Sequence, residues 1–203
     1  MTSQDLVKHI GDFFQQAKDN GIELYNEFSL QHELGIYLRN LLQNRQYKVQ
    51  FERNIGFFNI QGTMKKEIDI VVYSDQKKFA IELKFPRNRA YPRRMFQFIE
   101  DICFVKQLKD NGFDGGCAVV LVDDKNFYSA KRLKKDGIYA YFRGEEPAPI
   151  RESIGNPIKN EEPSCLEIQE ERQVEWIGVN VWIRDKDTEN PNSKSAKYYI
   201  IEI

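Results

Sequence analysis

Glu67-Ile68-Asp69-Ile70-Val71-Val72-Tyr73, Ser74-Asp75-Gln76-Lys77, then Lys78-Phe79-Ala80-Ile81-Glu82-Leu83-Lys84-Phe85 is the stretch from which the fold can be worked out. Two alternating runs rich in β-branched and aromatic residues flank a four-residue polar turn, which predicts a hairpin. Such a turn pairs Tyr73 with Lys78, and counting outward along both strands sets Asp69 opposite Glu82. The period of two puts Glu82 and Lys84 on one face, with Ile81, Leu83 and Phe85 on the other. Asp69 shares its face with Val71 and Glu67. Facing carboxylates repel unless positive charge lies between them. Lys84 supplies one charge, and a hard divalent cation would supply the rest. Mg²⁺ typically takes one or two carboxylates together with waters and phosphate oxygens.

Outward from the hairpin, the elements follow from their periods. Asp5 to Lys18 reads as a helix with Leu6, Ile10, Phe13, Phe14 and Ala17 on one stripe, stopped at Asn20-Gly21. A second helix is expected from Asn26 or Ser29 to about Gln43, with Leu30, Leu34, Tyr37, Leu38 and Leu41 inward. Tyr47 to Glu52 alternates as a strand, and a Gly-containing loop (Gly56 to Gly62) leads into the hairpin. A long helix is predicted from about Arg93 to Lys109, ended by Asn111-Gly112. Gly116 to Val122 is apolar on both faces, as in a buried strand. Lys125 to Lys135 reads as a short helix and Gly137 to Phe142 as a strand. Gly144 to Arg172 holds four of the seven prolines and a glutamate cluster, so an extended or mobile excursion is expected there. Val174 to Ile183 and Lys197 to Ile203 read as returning strands. The domain plan is an α/β core over residues 1–143, an acidic, proline-containing excursion over 144–173, and strands over 174–203 that rejoin the same domain. The fold class is α/β, of mixed α+β type, with a mixed central sheet flanked by helices.

Composition narrows the function classes. The chain has 203 residues, 30 basic and 31 acidic, for a net charge of −1, which argues against a protein that coats nucleic acid but permits a local basic patch. Its three cysteines and two histidines form no CxxC or HExxH spacing, so any metal is expected to be held by oxygen. Cys103 and Cys117 sit among apolar neighbours, as core residues do. No apolar run approaches the ~18 residues of a membrane span, and Met1-Thr2-Ser3-Gln4-Asp5 lacks a basic-then-apolar signal pattern. A cytoplasmic location with no membrane partner is the expectation.

Asp69, twelve intervening residues, then Glu82-Leu83-Lys84 resembles the signature of the PD-(D/E)XK, restriction-endonuclease-like nuclease superfamily. The resemblance spans roughly Ser29 to Asp123, and the order helix, three strands, helix, strand is similar to the superfamily core. The proline of the motif is Ile68 here. The resemblance implies a restriction-endonuclease-like core with extra C-terminal strands, and Mg²⁺-dependent hydrolysis of DNA phosphodiesters, with Mn²⁺ as a substitute ion. Asp69 and Glu82 would hold the metal, with the Leu83 carbonyl as a further ligand by family analogy. Lys84 would orient or deprotonate water, or stabilise the transition state. Glu33, on the preceding helix, matches the superfamily's additional glutamate and would ligate a second ion or position water.

Arg87, Arg89, Arg93 and Arg94 follow the motif closely, and with Lys84 they make five cations in eleven residues. Arg93 and Arg94 fall just after Pro92, where a helix would begin and cations oppose its dipole. A phosphate there would relieve the conflict, so these four arginines are the expected nucleic-acid contacts. Gln97 and Asp101, about one turn apart on that helix, are further candidates for the site. Glu67 and His32 read as surface residues, and Trp176, Trp182, Tyr198 and Tyr199 as core more than as base-stacking platforms. The expected partner is DNA, with RNA as an alternative, and a homodimer is consistent with cutting both strands. Two rivals stand: a catalytically silent nucleic-acid-binding module of the same fold, and an interaction protein docking through residues 144–172. The residues leave open the target sequence and endonuclease against exonuclease action.

Overall fold

The computed structural model describes residues 1–129, 136–184 and 192–203. Thr2 and Asp5 cap each other's backbone at the start of α1 (Ser3–Ala17), and Asn26 and Ser29 do the same for α2 (Glu27–Leu42). These side-chain oxygens satisfy N–H groups that a helix start leaves orphaned. The buried stripe of α1 is Leu6, Ile10, Phe13, Phe14 and Ala17, as its period predicts. In α2 the stripe advances in steps of four, Leu30, Leu34, Leu38 and Leu42. It therefore leans along the helix and leaves Leu41, predicted inward, exposed.

The strands are β1 (Glu23–Leu24), β2 (Lys48–Asn54), β3 (Glu67–Tyr73), β4 (Lys78–Lys84), β5 (Gly115–Val122), β6 (Ile150–Gly155), β7 (Cys165–Arg172), β8 (Ile177–Ile183) and β9 (Asn192–Glu202). Seven of them form one mixed sheet in the order β1-β8-β9-β5-β4-β3-β2. β1 with β8 and β4 with β5 are parallel, and the remaining pairs are antiparallel. Parallel β4 and β5 need a long crossover, which α3 (Tyr91–Asp110) supplies. One core lies between the sheet and α1 and α2, through residues such as Phe13, Leu38, Ile70, Ile81 and Leu121. The other lies between the sheet, α3 and the β6–β7 hairpin, through Val71, Phe98, Val120, Phe142 and Leu166. Every residue of β5 is buried, as its two-sided apolar pattern predicts. The architecture is thus a mixed α/β sheet with helices on both faces.

Three expectations fail in whole or in part. Gly137 to Phe142 is not a strand: Gly137–Tyr141 is a 3-10 helix, curled by the Phe142 N–H donating to the Tyr139 carbonyl and entered through Gly137 at φ +57°. The segment from Gly144 to Arg172, expected as an extended or mobile excursion, instead holds the β6–β7 hairpin, which packs Ile150, Ile154 and Leu166 into the core under α3. The predicted helix from Lys125 is a 3-10 turn over Lys125–Phe127, and residues 130–135 of that prediction lie outside the described residues. Among the described residues, no helix is long and apolar enough to cross a membrane.

Candidate functional site

The β3–β4 register is the one predicted, from Tyr73 opposite Lys78 to Ile70 opposite Ile81, and there the ladder stops. One step further, side chains take over. The Glu82 Oε1 accepts the Asp69 N–H at 3.1 Å, and the Asp69 Oδ2 accepts the Leu83 N–H at 2.7 Å. Each carboxylate thereby holds the opposite strand's backbone. Across Asp69 the β2–β3 register runs on unbroken, Phe51 with Ile70 and Arg53 with Ile68, so Glu52 lies opposite Asp69, with its backbone in the left-handed region at φ +46°. Gln31 of α2, 6% exposed, donates to Glu52 Oε1 at 2.5 Å and to the Asp69 carbonyl at 2.6 Å. The backbone of Asp69 is thus held from β4 by Glu82 and from α2 by Gln31, which Glu52 of β2 in turn engages.

Glu82 and Lys84 face α3, as alternation requires, and Asp101 of α3 comes down onto them. Lys84 Nζ lies 3.3 Å from Asp101, 4.0 Å from Asp69 and 3.4 Å from Glu27, and donates to the Leu83 carbonyl at 2.8 Å. Lys65, from the loop before β3, reaches Glu82 at 2.7 Å and also pairs with Asp101. Glu82 and Asp101 are only 1% and 2% exposed. Glu27 adds a second tie, accepting the Phe85 N–H at 3.1 Å. Four carboxyl groups thus meet two ammonium groups, so acidic groups outnumber basic ones by two in the cluster.

Burial pushes the Asp69 carboxyl up to about 6, against the pull of Lys84. Glu82 is pushed up as well, first by burial and then by the Asp69 charge. For both lysines, burial disfavours the ammonium, yet the surrounding carboxylates outweigh it and hold the pKa above the ordinary lysine value. Asp101 leads those carboxylates in both cases. Lys65 and Lys84 therefore stay charged at neutral pH.

Asp69, Glu82, Leu83, Lys84 and Asp101 converge. Glu33 does not join them: its carboxylate lies 3.9 Å from His32 Nδ1, and no described hydrogen bond or ion pair ties it to the cluster. The α2 residues at the cluster are Glu27 and Gln31. Gln97 accepts from Arg94 at 2.8 Å on the flank of α3. Arg87 is drawn into the fold by Asp123 at 2.6 Å, and Arg93 lies 3.4 Å from Glu161 of the β6–β7 connection. Arg94 also donates to Asn88, while Arg89 is exposed and lines a cleft with Asn88 and Lys125. Glu67 and His32 are at the surface. Trp176 and Trp182 donate to the carbonyls of Phe142 and Lys18, Tyr198 stacks on Phe14, and Tyr199 is buried, so these aromatics serve the core. Cys117 is buried in the core and Cys103 is half-buried.

Sequence reasoning missed Lys65 and Glu27. Lys65 sits in a periodless loop, so no pattern singled it out. Glu27 follows the Asn26 cap, which in hindsight marks it as a first-turn residue able to reach the end of β4.

Comparison with family models, with curated proteins and with solved structures finds no match.

Among the described residues, no three acidic, histidine or cysteine side chains converge as a ready-made metal cage. Lys65 stands between Glu82 and Asp101, and backbone N–H groups engage one oxygen each of Asp69 and Glu82. The donor chemistry nonetheless suits a hard divalent ion. Its atoms are oxygens, its acidic groups outnumber its ammonium groups, and Mg²⁺ asks for only one or two carboxylates beyond its waters.

Proposed function

We propose that the protein is a Mg²⁺-dependent nuclease that hydrolyses phosphodiester bonds of DNA, with a restriction-endonuclease-like core. The observation that carries this reading is the meeting of Asp69, Glu82 and Lys84 on one face of β3 and β4, in a cluster where acidic groups outnumber basic ones. The basic stretch from Arg87 to Arg94, a loop and the first turn of α3, begins three residues beyond, and its exposed Arg89 suits a substrate made of phosphates. Asp69, Glu82 and the Leu83 carbonyl would hold the ion. When bound, it supplies Lewis-acid polarisation of the phosphate and acidifies a water to a nucleophile at neutral pH.

The remaining roles belong to the chain. Lys84, held charged by Asp101, Asp69 and Glu27, is suited to binding a phosphate oxygen and stabilising its growing negative charge, and not to taking a proton from water. Gln31 and Glu52 fix the backbone that carries Asp69. Arg89 provides an exposed cation for a flanking phosphate.

The test is cleavage of supercoiled and linear DNA with Mg²⁺, Mn²⁺ or EDTA, using wild type, Asp69→Ala and Lys84→Ala. The expected result is metal-dependent cleavage that falls at least about a hundredfold in both variants. A folded wild type that cuts none of these substrates would sink the reading.

A silent nucleic-acid-binding module is the second reading. Lys65 favours it, since its ammonium fills the space between Glu82 and Asp101 with the protein's own charge. That module retains DNA with a steep salt dependence and no turnover.

A further inference from the structure

Phe28 and Tyr25 are 70% and 52% exposed, and both line one open cleft of about 400 Å³. Glu23, His32, Glu33 and Phe51 are also among its walls. No core packing demands such exposure of Phe28.

The walls are held in place. The Asn26–Ser29 capping pair fixes the first turn of α2, and the Tyr25 N–H donates to Ser29 Oγ at 2.9 Å. Phe51 lies so close under Gly35 that a Cβ there would stand 1.9 Å from its ring. The cleft is therefore preformed, on the outer side of the helical turn whose inner side serves the cluster. Phe28 follows Glu27, which contacts Lys84, and His32 follows Gln31, which holds Asp69.

The chemistry of the walls selects a ligand. Aromatic faces stack on bases, as in single-strand-binding proteins. Glu33 is an acceptor only, and its one described partner is His32 at 3.9 Å. Glu23, also at the cleft, is engaged by Arg184 at 2.9 Å. A carboxylate in that setting accepts from an exocyclic amine, N4 of cytosine or N6 of adenine, where thymine presents a carbonyl oxygen. A base inside a duplex is stacked and paired, so only an unpaired one fits.

We infer that this cleft takes an unstacked nucleobase bearing an exocyclic amine, beside the phosphate placed at Lys84. The inference rests on the nucleic-acid reading above and deepens it to strands with unpaired segments. An arginine of a protein partner would also suit aromatic rings and a carboxylate. Arg89, exposed on the loop that follows Lys84, favours a phosphate chain over such a partner.

The experiment measures binding of cytosine, adenine and thymine homopolymer single strands and of a blunt duplex, in EDTA, at fixed salt. The proteins are wild type, Phe28→Ala and Glu33→Gln. Wild type is expected to prefer cytosine and adenine strands over thymine. Phe28→Ala is expected to lose about tenfold on single strands and to leave duplex binding unchanged. Glu33→Gln is expected to narrow the preference over thymine without abolishing stacking. Phe28 is solvent-exposed, so its removal leaves folding intact, which circular dichroism checks.

Equal wild-type affinity for all three strands, or single-strand binding untouched by Phe28→Ala, overturns the inference while metal-dependent cleavage leaves the nuclease reading standing. An oligoarginine peptide that binds wild type, depends on Phe28 and outcompetes the cytosine strand assigns the cleft to a protein partner and overturns it too. Absence of both nucleic-acid binding and cleavage overturns the nuclease reading and this inference together.

Discussion

Lys65 shows how one side chain can decide whether a buried acidic cluster is tolerable. Its ammonium joins Glu82 and Asp101, neither of which has appreciable contact with water. Removing one partner of such a pair leaves a buried charge uncompensated, at about 3–5 kcal/mol. Lys65→Met is expected to lower stability by about 3 kcal/mol in EDTA, the lower end because the ammonium is partly wetted. Urea unfolding measures this, and added Mg²⁺ should restore part of the loss by replacing the missing charge. Gln31 is the second such residue. Gln31→Leu strips Glu52 and the Asp69 carbonyl of their shared donor, with an expected cost of about 1–3 kcal/mol. The same variant should weaken Mg²⁺ binding measured by calorimetry, because it loosens the backbone beneath Asp69. Alternation alone made the shared face of Asp69, Glu82 and Lys84 legible in the sequence. Lys65 was not legible, since it reaches the cluster from a loop, and neither was the departure of Glu33, which depends on how α2 is rotated on the sheet.

Among the elements, α3 is placed by a glycine. At Gly116 an added Cβ would stand 2.2 Å from the Ala80 carbonyl oxygen and 2.9 Å from Val105 of α3. The helix can lie close to β4 and β5 only because that atom is missing. Asp101 is one turn before Val105 on the same helix, so this close approach is also what sets Asp101 onto Glu82 and Lys84. Gly116→Ala is expected to cost about 3 kcal/mol or more. Its sharper signature is the loss of the Asp101 contact, seen as changed chemical shifts of Lys84 and Lys65 by NMR. The long elements were readable because their periods persist. The β6–β7 hairpin was hidden by its own surface: Leu166 and Ile168 alternate within Cys165–Arg172, but most of the other positions are Glu, Gln or Arg and give the segment the composition of a loop. Gly137–Tyr141 misled in the opposite sense, since alternating aromatics suggested a strand where local hydrogen bonds curl the chain.

For the whole molecule, the proposed ion binds the folded chain and not the unfolded one, so it must add stability. At a hundredfold excess over its Kd the gain is about 2.7 kcal/mol. For a chain of this size that is a rise of roughly 5–10 °C in Tm. Differential scanning calorimetry in Mg²⁺ and in EDTA measures it, and Asp69→Ala should show no rise. A wild type with the same Tm in both buffers would count against the proposed metal site.

The position of β9 has a consequence of another kind. It lies between β5 and β8 in the sheet, although it is the last strand in chain order. During translation, β2 to β5 with α2 and α3 can assemble early, but the side of β5 that β9 covers stays open until residue 202 has left the ribosome. For that interval the nascent chain presents an unpaired edge of wholly apolar residues, the surface that chaperones bind and that neighbouring nascent chains can join.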